Sequence, residues 1–84
     1  MTSLDQLIDQ VEAAIAAHHR GETAPFSARL LGAVHEELDH MRTSDAFDPT
    51  YARFVLDWPD ASSALGKALM DAAYARHKAL RRHG

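Results

Sequence analysis

The stretch ASSALGKALMDAAYARHKAL, residues 61–80, decides the fold. At about 100° of helical rotation per residue, Leu65, Ala68, Leu69, Ala72, Ala79 and Leu80 form one apolar stripe. Gly66, Met70, Ala73 and Tyr74 form a second arc beside it, which leaves Lys67, Asp71, Lys78 and Arg82, with Ala64 and Ala75, as the clear outer face. A single packed neighbour covers one stripe, so a helix apolar over this much of its circumference belongs inside a bundle or between two subunits.

The chain on either side is punctuated as helix. Ser3 with Gln6 fits a capping box, and Leu4, Leu7, Ile8, Val11, Ala14, Ile15 and His18 recur at steps of three and four, up to the stop signal Arg20, Gly21. A second helix is predicted from Pro25 or Ser27 to Met41, with Leu30, Leu31, Val34, Leu38 and Met41 on one face and Gly32 on the other. Asp48 and Pro49 predict the N-cap and first residue of a short third helix, which Pro59 ends by pushing Trp58 out of helical dihedrals. Tyr51, Phe54, Val55 and Trp58 align on it, with Phe47 just ahead, and are expected to be core. Asp57 or Asp60 can cap the fourth helix. Sustained alternation is absent and β-branched residues are few. The expected fold is all-α, a small antiparallel four-helix bundle with a short third helix, forming one domain over residues 1–84.

Composition narrows the function classes. Of 39 apolar residues 16 are alanine, a thin core for 84 residues without cross-links, and small domains often recover stability by self-association. Without cysteine there is no thiolate metal site and no cysteine nucleophile. No Lys or Arg precedes Arg20, unlike the basic start of a secretory signal, and the longest apolar run is Ala13 to Ala17, so a cytoplasmic protein without a membrane span is expected. Residues 1–60 carry 11 acids against 4 arginines, a net −7, whereas residues 61–84 carry 5 Lys and Arg against Asp71, a net +4. The halves should attract, within one chain or between two. The basic end, Arg76 to His83, comes with no recognition motif or interleaved aromatics, and the overall acidity disfavours nucleic acid.

Four groups of residues could carry chemistry. Glu37 and His40 form a Glu-x-x-His step that resembles the metal-binding step of ferritin-like di-iron helices, which would make His35, Glu37, Asp39 and His40 candidate ligands. Against that, Glu37 lies about 70° off the apolar face, His40 and Glu36 about 130° to 170° away, and a second such step is missing. A variant site takes His35 and Asp39 with His18 or His19, although His18 falls in its own helix's apolar stripe. Arg76 sits in the middle of the main stripe of the fourth helix, where a charge needs a partner: Glu12 or Glu37 in a buried ion pair, water reached by snorkelling, or a bound anion. Asp57, Trp58, Pro59 and Asp60 could hold an indole beside two acids as a ligand platform, or plug the core and cap a helix. Ser62, Ser63, Gly66 and Lys67 match neither a nucleophile elbow nor a phosphate loop, so no catalytic residue is assigned and catalysis by the chain alone is not expected.

The expectation is therefore a small helical interaction or assembly protein without a cofactor. It would act as a homodimer, with Gly66, Met70, Ala73 and Tyr74 at the interface, or as the partner of another protein. A metal- or ligand-binding helical module built on His35 to His40, or an accessory subunit of an enzyme, is the alternative.

Overall fold

Ser3 opens the first helix in both directions of a capping box: its hydroxyl accepts from the Gln6 amide at 3.2 Å, and its own amide donates to Gln6 Oε1 at 3.1 Å. The computed structural model describes residues 3–83, and these hold α1 (Leu4–His19), α2 (Ala28–Thr43), a single-turn α3 (Ala52–Val55) and α4 (Ala64–His83). A 3-10 turn, Pro59–Ser62, precedes α4, and there is no strand among the described residues.

Leu7, Ile8, Val11 and Ala14 of α1 face Leu31, Val34, Leu38 and Met41 of α2 in one core. The two helices are antiparallel, as three cross-contacts along their length show. Asp5 meets Arg42 at 3.7 Å, Glu12 meets His35 at 3.8 Å, and at the loop end His18 Nε2 lies 3.0 Å from the Pro25 carbonyl oxygen. A carbonyl only accepts, so that imidazole nitrogen carries the proton, and His18 is a loop fastener rather than a ligand.

The loop between them reverses sharply. Gly21 closes α1 at φ +76°, and Phe26 also adopts a left-handed backbone, φ +63°, which costs a side-chain-bearing residue about 1–2 kcal/mol. The strain is held by two contacts from elsewhere. Asp60 Oδ2 accepts the Phe26 amide at 3.0 Å, and the buried Phe26 ring meets Trp58 edge to face with centroids 6.0 Å apart. Ser27 then caps α2 through the Leu30 amide.

The sequence places Asp48 at the N-cap of α3, but the structure uses another acid. Glu37, on α2, accepts from the Thr50 amide at 2.6 Å, the Tyr51 amide at 2.7 Å and the Thr50 hydroxyl at 2.7 Å. Asp48 instead meets His77 Nδ1 at 2.7 Å. The cap of α4 also differs from expectation: Ser63 accepts from the Gly66 amide at 3.1 Å, while Asp60 is engaged at Phe26 and the Asp57 side chain accepts no hydrogen bond among the described residues.

As far as Ala73 the doubly apolar α4 finds its cover within the chain. Asp60, just ahead of it, reaches the start of α2, and Arg76 reaches the end of α2, so α4 runs in the direction of α2 and opposite to α1. α1 packs against α4, and Leu65 and Leu69 of the first stripe are buried in the common core. α3 and the 3-10 turn wrap the second arc. Tyr51 donates its hydroxyl to the Leu69 carbonyl at 2.5 Å, and the backbone of Asp60 and Ala61 lies directly over Gly66. Gly66, Met70 and Ala73, expected at a subunit interface, are therefore buried inside one molecule.

Candidate functional site

The four candidate metal ligands diverge, because each is engaged elsewhere. Glu37 caps α3, Asp39 pairs with Arg42 at 2.5 Å, and the His40 ring stacks on Phe47 with centroids 5.1 Å apart. His35 faces Glu12 across an open groove between α1 and α2 that His19 also lines. No three His, Asp or Glu side chains come together as a metal site among the described residues.

Arg76 is not paired with Glu12 or Glu37. Its guanidinium donates from Nη2 to the Met41 carbonyl at 2.9 Å and from Nη1 to the Ser44 and Phe47 carbonyls at 2.8 and 2.9 Å. Those are the last turn of α2 and the bend that follows, where helical carbonyls lack intrahelical partners. A cation there also complements the negative end of the helix dipole. The planar, five-donor guanidinium can serve several acceptors at once, so a charge on an apolar stripe is satisfied without a carboxylate.

The fold displaces the titration of Tyr51. Burial, and secondarily the nearby Glu37 carboxylate, push its hydroxyl well above the ordinary tyrosine range, which keeps it a donor to Leu69. It lies beneath α3 and acts in structure.

What the surface does offer is apolar. Phe54 is 59% exposed, Leu56 62% and Tyr74 57%. Placing Tyr51, Phe54, Val55 and Trp58 on one helical face requires a continuous helix, but α3 ends at Val55 and Trp58 is extended at φ −88°, ψ 143°. Only Tyr51 and Val55 face inward, Trp58 is half-buried, and Phe54 is turned into an open groove with Leu30, Ala33 and Trp58. On a helical turn the residues on either side of the inward Val55 stand about 100° away from it, and Phe54 and Leu56 both stay exposed.

Tyr74 stands apart, on the outer face of α4 in an open groove with Asp48, His77, Leu80 and Arg81. Lys67, Lys78, Arg81 and Arg82 form no ion pair with the acidic half among the described residues. The side chain of His83, the last of the basic end, lies outside the described residues.

No helix among the described residues is long and apolar enough to cross a membrane. The chain matches no family model, and no curated protein or solved structure is similar to it.

Proposed function

We propose that this chain is a small cytoplasmic helical assembly protein that acts by contact with protein, as a homodimer or as the helical partner of another chain. The observation that carries the reading is the exposure of Phe54, Leu56 and Tyr74 on a molecule whose candidate polar groups Glu37 and Arg76 are engaged in holding helix ends. Large apolar side chains are a minority on soluble surfaces and concentrate where a partner covers them.

The test is photo-crosslinking in living cells with p-benzoylphenylalanine placed in turn at Phe54, Leu56 and Tyr74. These positions are exposed, so the substitution leaves the core untouched. A discrete protein adduct from at least one position is the expected result. Absence of any protein adduct from all three would overturn the assembly reading.

A further inference from the structure

We infer that the exposed turn Arg53, Phe54, Leu56, Asp57 is the surface on which a second copy of this chain docks, across a two-fold axis. The inference rests on the assembly reading above and names its occupant.

Val55 points into the core, so its neighbours are distributed by helical geometry. Phe54 and Leu56 stand about 100° to either side, and Arg53 and Asp57 share the outward crest between them. Both charged side chains are exposed, and neither forms an ion pair among the described residues. The crest therefore carries one cation and one anion, one helical turn apart, between two uncovered apolar side chains.

That pattern is complementary to itself. A two-fold axis crossing the turn at right angles sets two copies antiparallel, places Arg53 against Asp57 of the partner subunit twice, and brings each apolar flank onto its own mate. Leu30 and Trp58, in the groove beside Phe54, extend the apolar contact on one side.

The other exposed aromatic lacks this property. Tyr74 has Lys67, Asp71, Lys78 and Arg81 as its neighbours on the outer face of α4, and the nearby Asp48 is already paired with His77. Two-fold pairing there sets Arg81 against Lys67, so charge directs self-association to α3 rather than α4.

The experiment is sedimentation equilibrium of the full chain across the micromolar range, with circular dichroism confirming that each variant is folded. The wild type should dimerise, and Phe54→Glu should be a folded monomer. Arg53→Asp should weaken the dimer about tenfold, as two exposed pairs turn from attraction to repulsion. The exchange variant Arg53→Asp with Asp57→Arg should return to within about threefold of wild type, which only a self-complementary crest produces. A wild type that stays monomeric, a dimer indifferent to Phe54→Glu and Arg53→Asp, or an exchange variant no better than Arg53→Asp overturns the inference. A monomeric wild type whose Phe54 photo-adduct joins a different protein removes the second copy and leaves the assembly reading intact.

Discussion

Arg76 ends a helix to which it does not belong, and its three hydrogen bonds to the carbonyls of Met41, Ser44 and Phe47 make it the side chain with most at stake outside the core. Arg76→Met retains much of the stem and strands those acceptors, so it should cost about 2 kcal/mol in urea unfolding. Arg76→Lys keeps the charge but not the planar fork, and should recover no more than about half of that loss. A loss below a few tenths of a kcal/mol in Arg76→Met would show that water replaces the guanidinium freely. Tyr51 gives a prediction in pH. Its hydroxyl is held above the ordinary range in the folded state, so its contribution is complete below about pH 10 and declines as pH rises. The unfolded chain then releases a proton that the folded chain keeps, and stability should fall by about 1.4 kcal/mol per pH unit. Lysines titrate in the same range, so the measurement is the difference between wild type and Tyr51→Phe, whose alkaline slope should be shallower by that amount.

At the scale of elements, the two helical glycines make opposite predictions. Gly32 in α2 has open space where a Cβ would go, and Gly32→Ala should stabilise the protein by about 0.5–1 kcal/mol through helix propensity alone. A Cβ on Gly66 would sit 2.6 Å from the Ala61 carbonyl oxygen and closer still to that of Asp60. Those are backbone atoms of the 3-10 turn that covers α4, so Gly66→Ala should lose at least about 2 kcal/mol despite the same gain in propensity. Thermal melts of the pair decide it, and a stabilised Gly66→Ala would mean that the turn is free to lift. The sequence made Gly66 look like a site for another subunit because it shows which positions are small without showing what lies over them. The cover is the chain's own turn, and it depends on the bend at Pro59, which was legible, and on the path taken after it, which was not.

Across the whole molecule, what could be foreseen tracks the distance over which each interaction acts. The capping box of α1, the stop at Gly21 and the extended Trp58 before Pro59 all depend on residues within a few positions, and all appear where the pattern puts them. Glu37 reaching Tyr51, Asp60 reaching Phe26 and Arg76 reaching Met41 span 14, 34 and 35 residues. Each uses an ordinary charged residue to satisfy a distant stretch of backbone, and charge alone does not reveal which backbone. Glu37 looked available for a ligand for the same reason: the Thr50 and Tyr51 amides it accepts from lie 13 and 14 residues further on. The surface was hardest to foresee, since the exposure of Phe54 and Leu56 depends on which distant parts of the chain reach α3.

The reach of Arg76 also bears on the order of events in time. Closing a contact over 35 residues carries a chain-entropy cost that is recovered only once both the end of α2 and the body of α4 are in place. The clasp should therefore be absent from the transition state, which α1 and α2 can reach through their local hairpin contacts. In stopped-flow kinetics, Arg76→Met should leave the refolding rate nearly unchanged and speed unfolding roughly thirtyfold, the full equivalent of about 2 kcal/mol. A loss divided evenly between the two rates would show the clasp already closed at the barrier. On this account Arg76 governs how long the folded molecule lasts rather than how quickly it is reached.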